Sequence, residues 1–129
     1  MKYLGIDFGT KRVGTAISDA AGTIAFPRTV FPNDGKLFSA LKKMIEDEKV
    51  EAIVVGDTRS HGGGDNPVTA EAETFVSKLE AETKLPIERV WEIWSSIEAS
   101  RYAEKGNEHN DASAAAIILQ RFLDTRGAR

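Results

Sequence analysis

The sequence predicts an α/β domain built on a five-stranded mixed sheet, three antiparallel strands followed by two strands reached through helices, with about four helices flanking it. Three observations lead there. The first quarter of the chain holds three extended segments separated by glycine-containing turns, with no helical spacing among them. Two later apolar runs, Ile53-Val54-Val55 and Ile87 to Trp91, each follow a stretch whose apolar residues recur at helical intervals. An alanine-rich helical segment then ends the chain.

Taken in order, Lys2 to Asp7 reads as a buried strand, and Arg12 to Ser18 alternates Val13, Thr15 and Ile17 against smaller residues as a paired strand does. Asp19-Ala20-Ala21-Gly22 is a turn. Thr23 to Phe31 is a third extended segment, and Pro27, lacking an N–H, places it at a sheet edge or at a bulge. Leu37, Leu41, Met44 and Ile45 mark a helix after an Asn33-Asp34 cap, and Glu51 to Gly56 forms the fourth strand. Asp57 to Asp65 contains three consecutive glycines and reads as a flexible active-site loop. Asn66-Pro67 starts the second helix, carried by Val68, Ala72, Phe75, Val76 and Leu79. Ile87 to Trp91 is the fifth strand. Ser95-Ser96-Ile97-Glu98 fits a capping box for a helix reaching about Lys105, and a final helix runs from Asn110 through Leu123.

A chain of 129 residues suits one domain spanning 1–129. The formal charge of −3 argues against a general polyanion binder, so any nucleic-acid surface is local. With no cysteine there is no thiolate chemistry, and a divalent ion here is held by oxygen or imidazole. No stretch approaches the ~20 apolar residues of a membrane span, and the start reads straight into a strand, so a cytoplasmic protein without a membrane partner is expected.

Asp7 is the residue that asks for chemistry. It ends an apolar strand at a glycine turn, and Asp is depleted in strands and seldom buried without a partner. Glu92 lies just beyond the fifth strand and Asp111 in the first turn of the last helix, so three carboxylates sit at three element ends. Crowded carboxylates repel unless a cation neutralises them, so their convergence implies a metal ion. Such a site performs phosphoryl displacement without a nucleophilic side chain, and no Ser-His-Asp spacing competes with it. Lys11 and Arg12 flank Asp7, and Arg59 lies on the glycine-rich loop, where each has the charge to contact a phosphate. His109, two residues before Asp111, has an ordinary pKa of ~6.5 suited to moving a proton.

Gly5-Ile6-Asp7-Phe8-Gly9-Thr10-Lys11-Arg12-Val13-Gly14 with Ser18-Asp19, then Ile53-Val54-Val55-Gly56, Glu92 before Ser95-Ser96-Ile97-Glu98-Ala99, and Asp111 leading Ala114 to Gln120 resemble the YqgF family nearly end to end. These are the Holliday-junction resolvase-like proteins also described as pre-16S rRNA nucleases, within the ribonuclease H-like fold. The resemblance implies an acidic triad of Asp7, Glu92 and Asp111 binding Mg2+ or Mn2+. It implies phosphodiester hydrolysis in precursor ribosomal RNA or in branched DNA, by a monomer or a homodimer. The chain departs from the family's Asp-Glu-Arg around the middle acid, reading Trp91-Glu92-Ile93, and from the basic loop before the last Asp, reading Glu104 to His109. Fewer phosphate contacts lower affinity for nucleic acid. The alternatives are therefore a Holliday-junction resolvase-like DNA endonuclease and a catalytically weakened nucleic-acid-binding or ribosome-assembly module. Asp7-Phe8-Gly9-Thr10 also resembles the first phosphate loop of the sugar kinase and actin superfamily, which binds nucleotide between two lobes, whereas this chain supplies one.

Overall fold

The computed structural model describes residues 1–9, 11–57, 67–91 and 110–127. Its strands are β1 (Tyr3–Phe8), β2 (Arg12–Ser18), β3 (Ala25–Pro32), β4 (Ala52–Asp57) and β5 (Ile87–Trp91), and its helices are α1 (Leu37–Glu48), α2 (Pro67–Thr83) and α3 (Asn110–Gly127). The sheet order is β3-β2-β1-β4-β5. β2 pairs antiparallel with both β1 and β3, while β4 pairs parallel with β1 and with β5. The mixed five-stranded sheet expected from the sequence is thus the one observed. The expected helix from Ser95 to about Lys105, its capping box and the glycine-rich loop after Asp57 lie outside the described residues.

Strand periodicity divides the core into two. Leu4, Ile6 and Phe8 of β1 join Val13 and Ile17 of β2 and Ile53 and Val55 of β4 on one side, where Leu37 and Leu41 of α1 and Phe75, Val76 and Leu79 of α2 cover them. Tyr3 of β1, Ala16 of β2 and Ala52 and Val54 of β4 face the other way, onto Ala115, Ile118, Leu119 and Leu123 of α3. β4 is buried on both faces, which is why it reads as a continuous apolar run rather than an alternating one. Each large aliphatic side chain buried here contributes about 1.5–3 kcal/mol relative to exposure.

β3 is an edge strand and it is also bulged, so both readings of Pro27 hold. The register shifts between Gly14 and Ala16. There the Thr15 hydroxyl, fully buried, donates to the Thr29 carbonyl at 2.5 Å and accepts the Thr29 N–H at 3.1 Å, serving the displaced backbone of the bulge.

The helix cap expected at Asn33-Asp34 is not formed. The residue preceding α1 is Lys36, with no side-chain cap hydrogen bond. Asp34 instead closes a local turn, its carboxylate accepting the Lys36 N–H at 2.9 Å and its carbonyl the Leu37 N–H at 3.2 Å. Asn33 is drawn away by a longer-range bond: its amide donates to the Gly9 carbonyl at 2.9 Å, and its N–H to the Lys11 carbonyl at 2.9 Å. The β1–β2 turn, and not the helix, claims this residue.

Candidate active site at the end of strand β1

Asp7 stands on the α3 side of the sheet. β1 pairs with β2 without interruption from Leu4 to Phe8, so Asp7 shares a face with Tyr3 and Gly5, both of which meet α3. Its side chain is half-buried. Phe8, one residue on, points to the opposite side and packs on Phe75 with ring centroids 4.8 Å apart. The turn that follows leaves no room for a side chain at Gly9, where a Cβ would stand 2.5 Å from the Arg12 carbonyl oxygen. Together with the two Asn33 bonds, this holds the chain tightly just beyond Asp7.

The direction of α3 follows from its contacts. Phe122 meets the Tyr3 ring edge-on at 5.4 Å, whereas Leu119 and Ala115 lie over Gly5. As β1 advances, its partners on α3 move toward the helix start, so strand and helix run antiparallel. Two further strand residues advance about 6.6 Å and one helical turn about 5.4 Å. The backbone of Asp111, in the first turn of α3 and one turn before Ala115, is therefore level with Asp7.

The other expected site residues divide into two groups. Lys11 and Arg12 are exposed at the β1–β2 turn, beside the end of β1 that carries Asp7. Glu92, Arg59 and His109 lie outside the described residues, although β5 is described up to Trp91, which pairs with Asp57. Among the described residues no group of three or more His, Cys, Asp or Glu side chains forms a metal cage. Of the three acids, Asp7 is the one whose side chain is described, and its oxygen donors suit a hard cation such as Mg2+ or Mn2+. Asn33, which the sequence assigned to a helix cap, is the supporting residue that sequence reasoning missed. No local pattern signals its contact with Gly9, 24 positions away.

A cleft of about 450 Å³ opens on the opposite face of the sheet, between Phe8, Phe38, Phe75 and Lys78, whose ammonium lies 4.5 Å from the centre of the Phe38 ring. Asp7 is not part of its lining. The acid and the cleft are separated by the thickness of the sheet, because Asp7 and Phe8 have opposite parity along β1.

Known proteins match this arrangement over its whole length. The family model described as "RuvX: Holliday junction resolvase" matches residues 1–125. A relative from Nitratidesulfovibrio vulgaris is 39% identical over 100% of this chain and 97% of its own, and one from Maridesulfovibrio salexigens is 42% identical over 95% and 98%. Both carry the name "Putative pre-16S rRNA nuclease". Among solved structures, RuvC from Thermus thermophilus superposes with a TM-score of 0.66 at 16% identity, covering 99% of this chain and 97% of that one. The fowlpox virus Holliday junction resolvase gives 0.59 at 11% identity, covering 97% and 99%. At such identities the likeness is one of fold, and the ribonuclease H-like architecture expected from the sequence is the one these structures share with this chain. The match over residues 1–125, with relatives near 40% identity from end to end, makes this chain a member of the RuvX, or YqgF, family.

Proposed function

We propose that this chain is a metal-dependent nuclease that hydrolyses phosphodiester bonds in precursor ribosomal RNA, with Asp7, Glu92 and Asp111 holding Mg2+ or Mn2+. The observation that carries the reading is the half-buried carboxylate of Asp7 at the end of β1, on the face crossed by α3, with the first turn of that helix at the same level. Glu92 follows directly on β5 in the sequence. The names of the full-length relatives support ribosomal RNA as the substrate.

Asp7, Glu92 and Asp111 would hold a divalent ion, which would supply positive charge to stabilise the phosphoryl oxygens. The chain's own residues do the rest. Asp7 would hold the ion from a strand and Asp111 from a helix, regular elements that suit a site tolerating about 0.5 Å of error. Lys11 and Arg12 lie exposed beside the acid end and hold the phosphates flanking the scissile bond. Arg59 adds a further phosphate contact, and His109 moves a proton to the departing oxygen. The site works in the cytoplasm, and no helix among the described residues is long and apolar enough to cross a membrane.

A second reading, cleavage of branched DNA, is favoured by the description of the matching family model and by the solved complex of Thermus thermophilus RuvC with a Holliday junction substrate. Cutting two strands symmetrically calls for a homodimer, while trimming an RNA precursor is work for a monomer. Labelled precursor ribosomal RNA, plain single-stranded RNA and a four-way DNA junction, each incubated with Mg2+ or Mn2+, separate the readings. The expected result is cleavage of the precursor RNA by the wild type and none by Asp7→Asn. Preferential cutting of the junction would move the assignment to DNA, and no cleavage of any substrate by the folded, metal-supplied protein would leave a binding module.

A further inference from the structure

Gly5 lies under α3 at the closest approach between helix and sheet recorded among the described glycines. A Cβ at this position would stand 2.7 Å from Leu119 Cβ and 3.0 Å from the Ala115 carbonyl oxygen. Neither neighbour is a flexible side-chain end, so no change of rotamer makes room. Both residues are fully buried, and Ala115 brings the smallest side chain the helix can offer there. The helix is seated on the strand backbone itself.

A second contact fixes where along the sheet that seat lies. The Gln120 side chain accepts the Ala25 N–H at 2.9 Å and donates to the Thr23 carbonyl at 2.9 Å, tying the middle of α3 to the start of β3. It also donates to Asp124 at 3.0 Å on its own helix. Height is thus set at Gly5 and slide at Gln120, while the acid-bearing first turn lies beyond both. Asp111 is nine residues from Gln120, about 13 Å along the axis at ~1.5 Å per residue, so a tilt about the Gln120 tie is magnified at Asp111.

We propose that Gly5, with Gln120, is a positioning residue of the metal site: the two fix the height and slide of α3 on the sheet and so place Asp111 relative to Asp7. The inference rests on the reading that Asp7 and Asp111 share a cation. Carbon atoms in contact sit about 3.5–4.0 Å apart, so Gly5→Ala lifts the helix by roughly 1 Å at Leu119. Ligands to Mg2+ are held at about 2.0–2.1 Å in near-ideal geometry, which a lift of that size breaks.

The test is calorimetric titration of the purified protein with Mn2+ alone, beside thermal unfolding in the metal-free state. Asp7→Asn and Asp111→Asn serve as reference variants, and Leu41→Ala serves as a control that removes bulk from the opposite face. Gly5→Ala is expected to weaken Mn2+ binding by about 10-fold to 100-fold, the range seen when support behind metal ligands is removed. Leu41→Ala, despite a comparable or larger loss of thermal stability, should leave Mn2+ affinity within about twofold, since Leu41 packs in the core on the opposite side of the sheet from α3. Wild-type Mn2+ affinity in a folded but destabilised Gly5→Ala overturns the proposal. If Gly5→Ala does not fold, Gln120→Ala decides, because it adds no atom: a several-fold loss of affinity supports the proposal and an unchanged affinity overturns it. Undiminished Mn2+ binding by both Asp7→Asn and Asp111→Asn would instead remove the shared-cation reading, an outcome distinct from the failure of the positioning role.

Discussion

The two faces of the sheet are built on different principles. The face under α1 and α2 is filled by bulk, with Leu4, Ile6, Phe8, Val13 and Ile17 interlocking with Leu37, Leu41, Phe75 and Leu79. The face under α3 contains Gly5, Ala16, Ala52 and Ala115, and there the helix comes down nearly onto the strand backbone. Bulk gives stability and tolerates some rearrangement. Close backbone approach gives position and tolerates almost none. The acid at the end of β1 lies on the second face, and it follows that the stability of the domain and the geometry of its site are separable by mutation.

Asp7→Asn should have the largest effect of any single change on function. A divalent ion supplies several kcal/mol of transition-state stabilisation, so cleavage should fall by about a hundredfold or more. A half-buried, near-isosteric substitution should meanwhile leave the thermal midpoint close to wild type. Cleavage assays and melts on the same preparation check both halves of this expectation. Leu41→Ala is the converse. It empties a fully buried site in the bulk-filled face and should cost about 2–5 kcal/mol in denaturant unfolding. The surviving folded fraction should cleave at the wild-type rate. A variant that lost stability and specific activity together would show that the faces are coupled.

The bulk-filled face was the legible one. Its residues announce themselves by period, every second position in β1 and β2 and every third or fourth in α1 and α2, and β2 and β5 fall at the boundaries that pattern gives. Pro27 carried its own message about edge and bulge because the missing N–H acts locally. The other face gave weaker signals. A glycine inside a strand warns of a close approach without saying by what, and Gly5 acquires its meaning from Ala115 and Leu119, more than 100 positions away. Asn33 misled for the same reason: a good capping residue beside a helix start was claimed by a distant carbonyl. Asp7 was legible because a carboxylate at the end of an apolar strand is anomalous in itself. Its relation to Asp111 is a matter of how α3 is seated, which no spacing in the sequence encodes.

Thr15 tests whether polar groups in the bulk-filled face matter as position or as stability. It is fully buried between Val13 and Ile17, and its hydroxyl serves both backbone groups of Thr29 at the bulge. Thr15→Val keeps the shape and removes that partner, at an expected cost of about 1–2 kcal/mol. Amide exchange at Thr29 should quicken. Mn2+ affinity should not change, because Thr15, with the parity of Val13 and Ile17, faces the opposite side of the sheet from Asp7.

The smallest effect separates Asp7 from Asp19, another acid at a strand end. Asp19 follows β2 at the opposite end of the sheet, and its turn occupies its carboxylate. One oxygen accepts the Thr23 N–H at 2.7 Å and the Ile24 N–H at 3.1 Å, and the other accepts the Thr23 hydroxyl at 2.8 Å. These bonds, the Thr23 N–H foremost, hold its pKa below the ordinary carboxylate value. A depressed pKa in the folded state means that ionised Asp19 favours folding. That contribution is present above the unfolded-state value, about 3.9, and is lost as pH falls through the lower folded value. Asp19→Ala should therefore melt below the wild type at pH 7, with the gap narrowing as the pH is taken below about 4. Because the group is exposed, the gap should be small, and cleavage at pH 7 should be unaffected. If Asp19→Ala abolished cleavage while Asp7→Asn did not, the functional end of the sheet would have been assigned the wrong way round.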